Sequence, residues 1–342
     1  MIEPSDVGRP VSQLAGNGHS ETQHSLHKRK RPSINWSRFW LIFTLAAFLI
    51  GVIGGYWLGI SDPFSQSDRS GSASLSGSGP DGKVHAMVEQ INPSNGYTIP
   101  VQFGDVGPKL LAAGGIDLAQ FTEIYKQAGK PLTQDQLTIL TKGGGPVIIN
   151  RQNAYFLLNF FWALGLTNLN TILTDGPIMA NGRDQVGNLA STGGWTIGAK
   201  PPMELYASTS IIQLSKEQQD RLLEVASAVY RPCCNNPTNM PDCNHGMAML
   251  GLLELMASQD ASSDEMFATA KYVNAFWYPQ QTLEVATLLK ATENVDFAQA
   301  DPRQVVSRQF SSGSGFQAVH QYLIENGLQE QAPNSGGSCG VQ

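Results

Sequence analysis

The chain has 342 residues, of which 41% are hydrophobic, so it is long enough for one or two domains with an ordinary core. Residues 1–38 hold six Lys and Arg against three Asp and Glu, whereas the remainder holds 16 against 25, and the net charge is -6. An acidic remainder argues against nucleic acid as a partner, because phosphate binding needs a basic face.

The N-terminal region predicts a tail followed by a membrane anchor. Residues 1–35 are polar and lack apolar periodicity, which is typical of a disordered tail. Residues 39–60 then form a run of 22 residues without a charge, long enough as a helix to cross a bilayer core of about 30 Å. Trp40 and Trp57 lie near its ends, where aromatic rings favour the interface. We therefore expect a transmembrane helix over residues 36–60 that contacts the lipid bilayer through residues 39–60.

Charge and small residues add two expectations about this span. Five of the six basic residues of the N-terminal region lie between Lys28 and Arg38, directly before the span, and the positive-inside rule then makes the N-terminus cytoplasmic. The protein is thus predicted to cross the cell membrane once and to place its C-terminal domain outside the cytoplasm. A ridge of small residues along the span is compatible with self-association into a homo-oligomer. Its members are Ala47, Gly51, Gly55 and Gly59.

The rest of the chain predicts a tethered helical domain. Residues 61–82 are rich in Ser, Gly and Asp, as expected of a flexible linker, and residues 83–330 form the predicted domain. Capping-box sequences begin at Thr133, Ser215 and Ser262, and at least six helices are expected after Asp117. The fold class is therefore mainly α. Residues 331–342 are a flexible tail that carries Cys339.

Three segments refine this prediction. Residues 154–166 are apolar nearly all round but too short for a second membrane span, and this indicates a buried central helix. Pro279 indicates a junction between two helices. Residues 173–214 are dominated by turn-forming residues and predict a long irregular loop, with a small hairpin at Gly193 and Gly194.

The stretch from Arg231 to Met249 is the candidate functional site. It holds three of the four cysteines, together with a histidine and several methionines, and thiol, imidazole and thioether are ligands that suit copper and zinc. An extended approach to a helix that starts near Gly246 would place Cys243 and His245 on one face. The predicted set is Cys233 or Cys234, Cys243 and His245, with a fourth ligand from Met247, Met249 or Cys339.

Three hypotheses for this stretch stay open. The first is a copper or zinc site in a metal-handling protein. The second is structural disulfides, which an oxidising compartment favours. The third is a thiol–disulfide oxidoreductase, because Cys243 precedes a helix whose dipole lowers a thiol pKa and Cys339 could resolve a mixed disulfide. No catalytic signature of the hydrolase, metalloprotease, P-loop or dinucleotide-binding type is present.

Overall fold

The computed structural model describes residues 80–329, with side chains from residue 82. The described part is mainly helical, as predicted. Its longer helices are α1 (Pro80–Ile91), α2 (Val106–Ala113), α3 (Leu118–Gln127), α4 (Gln134–Lys142), α5 (Ala154–Thr167), α10 (Lys216–Ala228), α11 (Asn244–Ser258), α12 (Ser263–Trp277), α13 (Pro279–Glu293) and α16 (Gly313–Glu325). Single helical turns are α6 (Thr171–Thr174), α7 (Arg183–Val186), α8 (Ala190–Gly193), α9 (Pro202–Leu205), α14 (Pro302–Val305), α15 (Arg308–Ser311) and a 3-10 turn, Pro177–Met179.

The described residues also contain one small sheet, which the sequence did not predict. Strands β1 (Tyr97–Gly104) and β2 (Gly144–Ile149) pair antiparallel, with a shift in register between Ile99 and Gln102. The inward-facing side chains of β1 are buried in the main core beside α5. The alternation of buried and exposed residues in β1 has period two, as expected for a sheet with one face on the core.

Helices α5 and α11 form the centre of the core. Almost every residue of either helix is buried, and this confirms the predicted central helix over residues 154–166. The two helices cross at Gly165 and Gly251. A Cβ atom at Gly165 would collide with the Met247 carbonyl, and one at Gly251 would collide with the Phe161 carbonyl. The crossing therefore needs glycine on both helices, because the backbones themselves are in contact.

The predicted helix ends are confirmed. Thr133, Ser215 and Ser262 each accept a hydrogen bond from the backbone of the third helical residue, whose own side chain bonds back to the cap. Helices α12 and α13 meet at Pro279, which occupies the first position of α13, where its missing N–H costs nothing.

The long connection over residues 173–214 is more regular than predicted. It contains three helical turns and the 3-10 turn, and the predicted hairpin at Gly193 is wrong, because the Gly193 N–H donates to the Leu189 carbonyl and closes α8. Two buried indole N–H groups tie the neighbouring segments together. Trp162 donates to the Ser191 carbonyl at 2.6 Å, and Trp195 donates to the Gly115 carbonyl at 2.8 Å.

The predictions for the two ends of the chain lie outside the described residues. They include the tail, the span over residues 36–60, the Gly-rich ridge, most of the linker and Cys339. Between residues 80 and 329, no helix combines the length and the apolar character needed to cross a bilayer.

Candidate metal centre

Three cysteine side chains meet in the loop that joins α10 to α11. The sulfur atoms of Cys233, Cys234 and Cys243 all lie within 4.8 Å of one another. The shortest pair is Cys233 and Cys243, whose sulfurs are 3.2 Å apart. All three are free thiols, so the structural disulfides proposed from the sequence are not formed among the described cysteines. Three sulfurs at this spacing can hold a metal ion.

A buried arginine holds the loop in this shape. Arg231 is 1% exposed, and its Nε donates to the Cys243 sulfur at 3.0 Å. One terminal nitrogen donates to the Asn236 carbonyl at 2.9 Å, and the other forms an ion pair with Asp242 at 2.7 Å. Because the guanidinium donors form a rigid planar fork, one side chain fixes both ends of the loop and one of the sulfurs.

The Cys243 sulfur is placed by the start of α11. Cys243 is the N-cap residue, with extended backbone angles of φ -122° and ψ 164°. Its sulfur accepts the N–H of Gly246 at 3.4 Å and thereby satisfies one of the unpaired donors of the helix end. A Cβ atom at Gly246 would collide with the guanidinium of Arg231. Glycine at this position therefore lets the arginine lie against the first turn of the helix and reach the sulfur.

The other two cysteines are positioned by contacts within the loop, with the junction of α12 and α13, and with the start of α16. The Tyr278 hydroxyl donates to the Cys233 sulfur at 3.0 Å, and the Cys234 thiol donates to the Asn236 carbonyl at 3.7 Å. The Gly313 N–H donates to the Cys234 carbonyl at 2.7 Å, which ties the loop to the start of α16. Cys233 is the exposed residue of the three. The cluster therefore has one side open to solvent.

The three thiols differ in acidity. Hydrogen bonds from Cys233 and Cys234 hold the pKa of Cys243 well below its ordinary value, and the charge of Arg231 acts in the same direction against burial. For Cys233 the hydrogen bond with Cys234 lowers the pKa, but its bond to Cys243, the partial desolvation of its sulfur by the neighbouring groups and the charge on Cys243 together raise the pKa to about 11. The pKa of Cys234 is raised, chiefly by its hydrogen bond with Cys233. One thiolate, at Cys243, is thus stabilised beside two protonated thiols.

His245 lies beside the sulfurs but is not grouped with them. Its Nδ1 bonds to the Asn244 side-chain oxygen at 2.8 Å, and its ring packs against Tyr278 at 4.6 Å between centroids. Burial lowers its pKa to about 4, so the imidazole is neutral at pH 7. Its Nε2 is buried and has no hydrogen-bond partner in the part of the chain that the structure describes.

The remaining predicted ligands lie elsewhere. Met247 and Met249 are fully buried in the main core. Cys339 lies outside the described residues. Of the seven predicted ligands, the structure brings three together, namely Cys233, Cys234 and Cys243. Within the described residues, no histidine or carboxylate joins that group.

The sequence did not single out the groups that surround the sulfurs. Arg231 and Asp242 lie close to the first and last cysteines of the run, and this position was the available signal. Tyr278 is 45 residues from Cys233. No local pattern connects the two, and only the packing of α13 against the loop brings them together.

Comparison with protein-family models, curated proteins and solved structures finds no match to this chain. The functional argument therefore rests on the geometry of the site itself.

Proposed function

We propose that this protein is a membrane-anchored, extracytoplasmic metal-binding protein that takes a soft ion, copper(I) before zinc, at Cys233, Cys234 and Cys243. The observation that carries the proposal is the meeting of three free sulfurs within 4.8 Å of one another. Metal–thiolate bonds are about 2.3 Å long, so two sulfurs on one ion lie at most about 4.6 Å apart. The sulfur–sulfur distances of the cluster are at most 4.8 Å, which is close to this limit. Metal binding therefore needs only small side-chain rotations.

The donor set favours copper(I) over zinc. Structural zinc takes four protein ligands, whereas thiolates alone select soft ions such as copper(I), which is satisfied by three. No carboxylate or imidazole completes a set of four among the described residues. Three thiolates around copper(I) carry a net charge of minus two, and the buried guanidinium of Arg231, 3.0 Å from the Cys243 sulfur, offsets part of it.

The surroundings also fit a site that exchanges its ion. Cys243 is fixed at the start of α11, while Cys233 is exposed and offers a sulfur to an incoming donor or acceptor of metal. Binding must displace the protons of Cys233 and Cys234, so the affinity is expected to fall as the pH falls. The proposed location outside the cytoplasm follows from the charge distribution around residues 39–60.

The test is metal stoichiometry and affinity of the full-length chain in detergent, reduced and kept free of oxygen. Copper(I) is supplied in competition with a chromophoric chelator, and zinc is measured in parallel. We expect one copper(I) per chain and a copper–thiolate absorption band in the ultraviolet. Cys234→Ser and Cys243→Ser should lose the band and most of the affinity. Cys339→Ser is the matched control, because it makes the same chemical change at a cysteine that is not one of the three proposed ligands.

Two results would overturn this proposal. In one, the reduced chain binds neither ion more tightly than the Cys243→Ser variant does. In the other, the Cys339→Ser variant loses as much affinity as the cluster variants. His245→Ala adds a sharper comparison: retention of copper(I) by this variant is expected from the sulfur-only site, and loss of the ion would make His245 a ligand, as the sequence predicted.

A further inference from the structure

The closest pair of sulfurs in the cluster has a second chemistry that does not depend on a metal. The Cys233 and Cys243 sulfurs are 3.2 Å apart, and a disulfide bond of about 2.05 Å needs them only about 1.2 Å closer. The Cys234 sulfur lies within 4.8 Å of both and also contacts the Asn236 carbonyl at 3.7 Å. The pair therefore differs in geometry from the three-sulfur set.

The two members of the pair differ in their hydrogen bonds and in their access to solvent. Cys243 is the N-cap of a fifteen-residue helix, and its sulfur accepts from the Arg231 guanidinium and the Gly246 N–H. Cys233 is in the irregular loop and is exposed. The Tyr278 hydroxyl donates a hydrogen bond to the Cys233 sulfur. One fixed sulfur and one accessible sulfur are the arrangement that dithiol exchange requires.

We propose that Cys233 and Cys243 carry out thiol–disulfide exchange with an external disulfide. Cys233 passes its proton to the Cys243 sulfur across the 3.2 Å contact and attacks one sulfur of the external disulfide. A bond forms between these two sulfurs, and the other external sulfur leaves with the bonding electrons and then takes the proton from Cys243. The Cys243 thiolate then attacks the Cys233 sulfur, and the second external sulfur leaves as a thiolate. Two cysteines are oxidised to one disulfide, and one external disulfide is reduced to two thiols.

Fixed donors at Cys243 hold its sulfur in place for the second attack. The sulfur accepts hydrogen bonds from the Arg231 guanidinium and from the Gly246 N–H. Oxidation of the pair also removes two of the three sulfurs proposed to bind copper(I), so the metal and the disulfide exclude one another.

The experiment uses the full-length chain in detergent, reduced, with a metal chelator present throughout. Glutathione disulfide is one probe and a disulfide-bonded peptide is the other, and disulfides are mapped by mass spectrometry after acid quenching. In the wild type we expect a Cys233–Cys243 disulfide with either probe, and the ratio of the two rates shows whether small or peptide disulfides are preferred.

Four serine variants separate the steps. Cys243→Ser keeps a good N-cap residue and should accumulate a mixed disulfide at Cys233, because the second attack is lost. Cys233→Ser should react at least about tenfold more slowly, since the remaining sulfur of the pair is less accessible. Cys234→Ser and Cys339→Ser should form the Cys233–Cys243 disulfide at the wild-type rate. Near-ultraviolet circular dichroism of each variant confirms that it is folded.

Failure of this inference is distinguishable from failure of the metal site. A Cys233–Cys234 disulfide, a disulfide that needs Cys339, or no disulfide in folded wild-type protein would overturn the exchange reaction. Cys234→Ser is the discriminating variant, because we expect it to lose copper(I) and to keep the exchange. Loss of the exchange in this folded variant would contradict the pairing of Cys233 with Cys243.

Discussion

Two regions of helix α11 differ in what defines them. In the middle of the helix, Gly251 lies against Gly165 of α5, and the contact is made by backbone atoms of two helices. At its start, Arg231 donates a hydrogen bond to the Cys243 sulfur and forms an ion pair with Asp242. The middle of the helix packs closely because its glycine has no side chain. The start of the helix is held in place by hydrogen bonds and an ion pair between side chains. The same fifteen-residue helix thus serves as the core of the fold and as the support of the site.

The largest effect is expected at the helix crossing. Gly251→Ala should lower the free energy of unfolding by more than about 3 kcal/mol, because the added Cβ collides with the Phe161 carbonyl and forces the backbones apart. Gly145→Ala is the matched control. Its Cβ would meet only the Gln102 side chain, at 3.8 Å, and should change stability by less than about 1 kcal/mol. Denaturant unfolding of both variants measures the difference, and equal losses would contradict the close crossing.

The next effect is expected at the buried arginine. Arg231→Met should cost about 3 kcal/mol, because it removes the guanidinium that pairs with Asp242 Oδ1 and donates to the Asn236 and Met240 carbonyls. Arg303→Met removes an arginine that is 44% exposed and paired with Asp264, and it should cost less than about 1 kcal/mol. Unfolding midpoints of the two variants test this contrast. If Arg303→Met lowers the free energy of unfolding as much as Arg231→Met does, the buried guanidinium has no special role in stability.

A pH-dependent effect is expected at His245. Burial lowers its pKa from 6.5 to about 4 in the folded state, so the unfolded chain binds its proton first as the pH falls. The stability from this group is complete above pH 6.5 and is lost between pH 6.5 and about 4, with a loss of about 2 kcal/mol by pH 5. His245→Phe should lack this part of the pH profile. Unfolding of both proteins at pH 7, 6 and 5 gives the comparison, and parallel profiles would show that the fold does not lower the pKa of this imidazole.

The smallest effect at mildly acidic pH is expected at Glu254, the one charged residue in the apolar part of α11. Its side chain is fully buried near Asn168, and burial raises its pKa well above the ordinary value. Glu254→Gln keeps the shape of the protonated acid and should change stability by about 1 kcal/mol or less at pH 5. The stability that protonated Glu254 gives is present below its unfolded pKa and is lost as the pH rises. The variant should therefore be the more stable protein at pH 8, and the reverse order would indicate an ionised Glu254 with a partner.

Much of the helical framework could be predicted from local sequence. Thr133, Ser215 and Ser262 with their partners three residues later mark helix starts, because the hydrogen bonds involved are local. Pro279 marks the junction of α12 and α13 for a similar reason. The strands were missed because β1 and β2 are 40 residues apart in the chain and neither carries a hairpin turn. Their pairing is a long-range contact that no local pattern contains.

At the candidate site, too, some features could be predicted from local sequence and others could not. The clustering of cysteines in eleven positions located the site, but the sequence predicted that only one of Cys233 and Cys234 would join Cys243 and His245, whereas the structure brings all three sulfurs together. The membrane anchor, its orientation and the role of Cys339 stay predictions, since they concern residues outside those described. Met247 and Met249 lie in the core because α11 starts two residues earlier than the Gly246 start predicted from the sequence and is buried on all sides.

The sequence by itself determined the mainly helical class, the buried helix over residues 154–166 and the position of the cysteine loop, because capping, apolar periodicity and residue clustering are local properties. Only the tertiary structure decided which groups surround the sulfurs. Arg231 reaches Cys243 because Gly246 leaves room for the guanidinium, and Tyr278 reaches Cys233 because α13 packs beside the loop. The difference in pKa among the three thiols arises chiefly from the hydrogen bonds that they make with one another, and that arrangement also exists only in the folded loop.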